Sequence, residues 1–267
     1  MKIRFLGTGA ADWKLSKTEQ EIIADGTFYR RSTCNLIDEE ILVDLSPQSY
    51  DYAVRLGVDM SKITDLIISH THADHYSAKS FVSFAKASGR VIDIWCEKDA
   101  VCRLGLDEET KEYARVHPLC HEDTFEIHGY KITALSANHL VEKSDETPLH
   151  YVFEKDGKCF FYGLDGGWFT ARTWEYMRLK KLCFDGMILD STVGDKDGDF
   201  RLGTHNSIPM LRLIIASLKE NGMITDSSVI MASHLARTLH LTELCDVIKQ
   251  FSEIGMTVVC DGDTIEI

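Results

Sequence analysis

The chain has 267 residues, 44% of them hydrophobic, which is enough apolar side chain for a sizeable buried core. Its formal net charge of −13 repels polyanions at long range and disfavours a broad nucleic-acid-binding face. A small anionic substrate stays open, because a bound cation carries its own local positive charge.

No apolar run approaches the roughly 20 residues of a membrane span, and Met1 to Leu6 is too short for a signal h-region. A cytoplasmic protein without a membrane partner is expected. The eight cysteines form no Cys-x-x-Cys pair. Several, Cys159 and Cys260 among them, lie in apolar strand-like runs, so reduced, buried thiols are expected rather than disulfides. The four prolines are scattered and no Gly/Ser-rich or Pro-rich tract divides the chain. One domain over 1–267 is expected.

Residues 2–7 alternate and then break at glycine, which predicts a first strand and a tight turn. Residues 33–45 predict two strands around the acidic turn Asp38-Glu39-Glu40, and Ser46-Pro47 predicts a helix with Ser46 as N-cap. Residues 65–69 predict a short buried strand that delivers His70, followed by a helix from Ala78 to Ala87. Strands are predicted at 91–96 and 130–137, then a hairpin over 149–164 that turns at Lys155-Asp156-Gly157. A strand at 187–190, a helix at 206–220, a strand at 228–232, a helix near 241–251 and a closing hairpin over 257–267 complete the chain. Strands alternate with helices but hairpins sit at both ends, so the sheets should be mixed α/β rather than purely parallel.

The chemistry concentrates in Ser69-His70-Thr71-His72-Ala73-Asp74-His75, where four metal-competent side chains fall within six residues at the end of a buried strand. Imidazole and carboxylate without thiolate suit zinc, manganese or iron. In extended chain His70 and His72 point the same way, while Asp74 and His75 lie past the turn and can face a second ion. Further candidate ligands end other apolar strands: His139 after 130–137, Asp165 before the Gly166-Gly167 pair, and His234 after 228–232.

The order His-x-His-x-Asp-His, then His, Asp and His, resembles the dinuclear ligand set of the metallo-β-lactamase superfamily. The resemblance implies a four-layer αββα sandwich with two mixed sheets flanked by helices. It implies that His70, His72 and His139 bind one divalent ion, that Asp74, His75 and His234 bind another, and that Asp165 bridges them. Asp44 is similar to the superfamily's aspartate that steadies the histidine motif. Arg30-Arg31-Ser32-Thr33-Cys34, Met187 to Ser191, Thr204-His205-Asn206-Ser207 and the ending Cys260 to Ile267 resemble, in the same order, the phosphodiesterases that open cyclic phosphates in phosphonate degradation. That family carries a cysteine-rich, zinc-binding loop after its first Gly-Thr-Gly, whereas this chain has no cysteine at 11–26. A third metal is not expected.

The implied activity is hydrolysis of a small phosphate diester, cyclic esters included, through a hydroxide bridging two ions of Zn2+ or Mn2+, with Fe also compatible. Asp165 would orient the attack, and His205 matches the family's general acid. Arg30, Arg31, Lys143 and Arg237 are read as ordinary surface charges, His117, His121, His128, His150 and His240 as surface or hydrogen-bonded histidines, and Trp168 as a packing residue. Ribonuclease Z shares the ligand set, but usually has a long tRNA-gripping arm where this chain has only residues 140–164. Glyoxalase II-like thioester hydrolysis is disfavoured by the segment after His205. A non-catalytic scaffold is disfavoured by the complete ligand set, and an oxygen-reducing diiron role by His72 where that branch prefers Glu. A β-lactamase is disfavoured by the absence of a cysteine ligand. A homodimer is expected from the family alone.

Overall fold

The computed structural model describes residues 1–13, 29–108 and 110–267. The expectation for the cysteine-free segment after the first glycines falls largely outside them.

The described residues form two seven-stranded sheets. The first contains β1 (Lys2–Gly7), β2 (Cys34–Ile37), β3 (Ile41–Val43), β4 (Asp65–Ile67), β5 (Ile92–Glu97), β6 (Ala114–Leu119) and β14 (Thr264–Glu266), in the order β14-β1-β2-β3-β4-β5-β6. The second contains β7 (Thr124–Ile127), β8 (Tyr130–Ser136), β9 (Leu149–Lys155), β10 (Lys158–Gly163), β11 (Gly186–Asp190), β12 (Val229–Ser233) and β13 (Thr257–Val258), in the order β13-β12-β11-β10-β9-β8-β7. Both are mixed. The β14-β1-β2-β3 and β7-β8-β9-β10 parts are antiparallel, and β3 to β6 and β10 to β13 run parallel.

Alternation along the strands builds the layers. Ile3, Phe5, Ile41, Val43 and Ile67 of the first sheet meet Tyr151, Phe153, Phe160, Tyr162, Ile188 and Met231 of the second in one buried cluster. The intervening residues point outward. Leu6, Leu36, Leu42 and Leu66 pack under α1 (Ser49–Arg55) and α2 (Ala78–Ser88), through Ala53, Phe81 and Phe84. Val152, Phe161, Met187, Leu189 and Ala232 pack under α3 (Ala171–Leu179), α4 (Ile208–Glu220) and α5 (Leu244–Ser252), through Met177, Leu211, Ile214, Val247 and Phe251. This is the expected αββα arrangement.

Local chemistry accounts for most element ends. Ser77 caps α2 by accepting from the Ser80 amide, and Gly89 closes it in the left-handed region. Ser207 caps α4 with Pro209 in its first turn. Asp156 and Gly157, at φ 51° and 76°, make the β9–β10 turn, as hairpin geometry demands.

Three expectations are corrected. Ser46 does not cap α1: Gln48 stands there without a side-chain bond, and the Ser46 hydroxyl donates to the Ser32 carbonyl instead. The C-terminal segment is not a hairpin. β13 joins the second sheet and β14 the first, because Val259 between them is buried in the inter-sheet cluster and carries the chain across. Cysteine burial is lower than expected: Cys34 and Cys96 are buried, Cys159 and Cys260 are intermediate, and Cys102, Cys120, Cys183 and Cys245 are exposed. Composition gives a preference for burial, but position on the fold decides it. Strands β6 and β7 and helix α3 were not anticipated. Pro118 on an edge strand and the polar face of α3 hide their periodicity.

Candidate metal centre

The candidate ligands converge at one edge of the sandwich, where strands of both sheets end. Asp44 follows β3, His70 follows β4, His139 follows β8, Asp165 follows β10, Asp190 ends β11 and His234 follows β12. Asp44, Asp165 and His234 all have left-handed backbones, at φ 60°, 52° and 60°. Non-glycine residues adopt that region at a cost of order 1–3 kcal/mol each, which a fold sustains where a side chain must be aimed.

The seven candidate ligands form two groups that share Asp165: His70, His72 and His139 with Asp165, and Asp74, His75 and His234 with Asp165; a third group, Asp165, Asp190, His205 and His234, overlaps the second. His70 Nε2 lies 2.9 Å from His72 Nδ1, which lies 3.2 Å from His139 Nε2. In the second group His75 Nε2 and His234 Nε2 are 3.2 Å apart, and Asp74 Oδ2 is 3.4 Å from His234 Nε2. Asp165 Oδ2 is 3.4 Å from His70 Nε2, 3.3 Å from His75 Nε2 and 3.5 Å from His139 Nε2. A four-coordinate ion with bonds of about 2.0–2.1 Å holds its ligand atoms about 3.3 Å apart. The donor set and its spacing therefore fit one divalent ion in each group.

The outer ring nitrogens explain why the inner ones are available. His75 Nδ1 donates to Asp44 Oδ2 at 2.9 Å, and His139 Nδ1 donates to the Thr204 carbonyl at 3.1 Å. His70 Nδ1 lies 3.1 Å from the Ser69 hydroxyl, which itself donates to Asp44. Each bond fixes the tautomer that presents an Nε2 lone pair inward. His72 is turned the other way, with Nδ1 inward and Nε2 3.1 Å from Glu142. Asp44 is buried and also accepts from the Ser69 amide and the Tyr162 hydroxyl, so it supports the whole loop, as expected.

The electrostatics favour a cation. Burial alone would raise the Asp165 carboxyl, but His234, His75 and His139 hold it well below the usual range. Burial would lower His234, yet Asp165 and Asp74 push it up to about 10. His75 is likewise raised against its burial by Asp165 and Asp44, whereas burial and neighbouring imidazoles push His70 and His139 down. Carboxylate charge pulls protons into the second group, and a divalent ion would displace them.

His205 stands beside these groups. Its Nδ1 donates to Asp190 Oδ2 at 2.8 Å and is 3.8 Å from Asp165 Oδ1, which leaves Nε2 to the cleft. Thr192 links the two histidines, with its hydroxyl 2.8 Å from His234 Nδ1 and 3.1 Å from His205 Nδ1. The cleft holds about 670 Å³ and is lined by His72, Asp74, His139, Asp165, His205 and His234 among others, a size that suits a small-molecule substrate.

The structure brings all seven ligand candidates and His205 together here; Asp190 stood in the Met187 to Ser191 motif without a role of its own, and Thr192 and Glu146 were not singled out. Asp190 ends a buried strand as Asp165 and His139 nearly do, a signal that could have found it. Glu146 is buried and accepts from the Thr71 amide and hydroxyl, which pins the 70–72 loop. Arg30 and Arg31 are not surface charges. Arg30 is buried and donates to the Thr8 hydroxyl and the Val259 carbonyl, and Arg31 pairs with Asp261 at 3.2 Å. Lys143 and Arg237 are exposed. His150 is not a surface histidine: it is buried, its ring packs edge-on to Phe161 and Phe169, and burial pushes it down to about 4. Trp168 packs against Trp174 at 5.9 Å.

Two stacked mixed sheets with grouped histidine and aspartate donors at one edge define a hydrolase of the metallo-β-lactamase fold. A family profile described as "Beta-lactamase superfamily domain" matches residues 40–219, and the chain belongs to that superfamily. Solved structures similar to it include Zn2+-bound PqqB from Methylobacterium extorquens, at TM-score 0.75 and 16% identity, covering 100% of both chains. A diphosphatase from the PhnP family aligns at TM-score 0.71 and 19% identity over 100% of this chain and 96% of its own. The short form of human tRNase Z aligns at TM-score 0.70 and 16% identity over 100% of this chain and 99% of its own. No curated protein sequence matches the chain. Among the described residues no helix is long and apolar enough to cross a membrane.

Proposed function

We propose that this protein is a dinuclear metal-dependent phosphodiesterase that cleaves small anionic phosphate diesters, cyclic ones included. The reading rests on one observation above all: two donor groups share Asp165, and the His205–Asp190 pair borders the same cleft. His70, His72 and His139 would hold one ion, Asp74, His75 and His234 the other, and Asp165 both. When bound, a pair of Zn2+ or Mn2+ ions supplies Lewis acidity toward a phosphoryl oxygen and makes water acidic enough to ionise near neutral pH.

This chain's own residues supply the rest. Asp165, held by its left-handed backbone, fixes the two groups relative to each other. His205 carries a proton on Nε2 for the departing alkoxide, and Asp190 holds its ring in place. Thr192 bridges that ring and His234, which holds the proton donor beside the second donor group.

The RNA-cleaving alternative draws less support. Residues 140–164 contain strand β9 and the tight hairpin into β10, and the net charge of −13 opposes a long polyanion. We further infer a cytoplasmic location, because the described residues contain eight free cysteines, four of them exposed.

The test is turnover of bis(p-nitrophenyl) phosphate by protein stripped of metal and reloaded in turn with zinc and manganese. Diester hydrolysis that Asp165→Ala abolishes supports the proposal. No hydrolysis with either metal, despite two ions bound per chain, overturns it in favour of thioesters or a non-catalytic role.

A further inference from the structure

The cleft has an apolar lip that metal chemistry does not require. Phe200 and Leu140 both line it, and they are 87% and 61% exposed. An almost fully solvated phenyl ring adds little to folding, since burial is what stabilises apolar surface.

Its position is nevertheless tightly held. Phe200 begins a single 3-10 turn, Phe200–Gly203, whose N-cap Asp199 accepts from the Arg201 amide at 2.9 Å. Both Asp199 oxygens also lie 3.0 Å from Arg201 Nη1, and the Arg201 guanidinium sits 4.4 Å from the Phe200 ring centre. The turn is tied to both sides of the candidate site. The His205 amide donates to the Arg201 carbonyl at 2.8 Å. Gly167, two residues after Asp165, packs so closely that a Cβ there would lie 2.8 Å from the Leu202 carbonyl oxygen. The ring is thus exposed but registered to the atoms proposed to do the chemistry.

On the basis of the phosphodiesterase reading, we propose that Phe200 is a stacking platform for a planar ring carried on an ester arm of the substrate, so that the preferred diesters are nucleotide-like. A base laid on Phe200 would cover the exposed face while its phosphoryl group reaches the metal groups. Base–aromatic stacking of this kind tolerates any base, because every base has a π-face.

The test is calorimetric binding to the zinc-loaded protein of adenosine 5′-phosphate and ribose 5-phosphate, which share the phosphorylated sugar and differ by the base in place of the anomeric hydroxyl. Adenosine 5′-phosphate should bind about tenfold tighter or more, Phe200→Ala should erase most of that difference, and Phe200→Trp should keep it. Equal binding of the two phosphates, or a difference that survives Phe200→Ala, overturns the platform and leaves the phosphodiesterase reading standing. Binding of neither phosphate, together with no diester turnover, removes both. A wild-type dimer in sedimentation that Phe200→Ala splits would make the ring a contact between copies and overturn the platform as well.

Discussion

His205 Nδ1 lies 2.8 Å from Asp190 Oδ2, and this single contact decides which ring nitrogen the cleft receives. Burial alone would lower the histidine's proton affinity, but the Asp190 and Asp165 carboxylates outweigh it and the net shift is upward. A raised value keeps the imidazole protonated, and the proposed proton donor is lost only as pH rises through that value. Asp190→Asn should therefore move the alkaline limb of the kcat/KM profile to lower pH. It should also reduce kcat about 100-fold for an alkyl diester and much less for a p-nitrophenyl one, whose leaving group needs no proton. Equal losses on both substrates would assign Asp190 a purely structural role.

Asp44 makes no contact with the cleft, yet it orients Ser69, His75 and Tyr162 at once. Asp44→Ala should weaken metal binding about 10- to 100-fold, as loss of a carboxylate behind a ligating histidine does. Competition with a chromophoric chelator measures this directly. Tyr162→Phe removes one of the bonds to Asp44 and should have a smaller effect.

The Arg31–Asp261 pair is nearly buried, with side chains 9% and 6% exposed. Asp261 also accepts from the Thr8 and Arg31 amides and the Thr8 hydroxyl. Asp261→Ala removes the carboxylate that pairs with the nearly buried Arg31 guanidinium and accepts from the Thr8 and Arg31 amides, so unfolding stability should fall by about 3 kcal/mol. Denaturant titration of the two proteins gives the number. A change under about 1 kcal/mol would mean that water replaces the carboxylate.

Asp38 joins the two sheets from the β2–β3 turn, accepting from the Lys2 amide at 2.8 Å and the Tyr130 hydroxyl at 2.6 Å. Burial raises its carboxyl, but these bonds and Lys155 outweigh burial and the net shift is downward. A depressed folded-state value stabilises the protein above the unfolded value of about 3.9, and the benefit is lost as pH falls through the folded value. Asp38→Asn should cost about 1 kcal/mol at neutral pH, given partial screening by solvent. Thermal unfolding should show the gap between variant and wild type closing as pH drops below about 3.9.

The amino-acid sequence by itself determined the mixed α/β character and the main donor run, and the four-layer sandwich followed from the family resemblance that the donor run carries. Apolar runs such as Phe160-Phe161-Tyr162 mark buried strands without saying which side each residue faces, and His70 to His75 lie close enough in the chain to act together wherever the strand ends. His139, Asp165 and His234 were legible too, because each stands just past an apolar strand. Only the tertiary structure decided which side chains support them. Asp190 reads as a strand end until the parallel pairing of β11 between β10 and β12 brings it against His205. Arg30 reads as a surface cation until the crossing of the C-terminal segment between the sheets puts the Val259 carbonyl over it. Phe200 reads as one more apolar residue in a polar loop until its turn packs on Gly167 and faces the cleft. The physical reason is the same in each case: local periodicity reports which way a side chain points, while its partner is set by contacts between segments far apart in the chain.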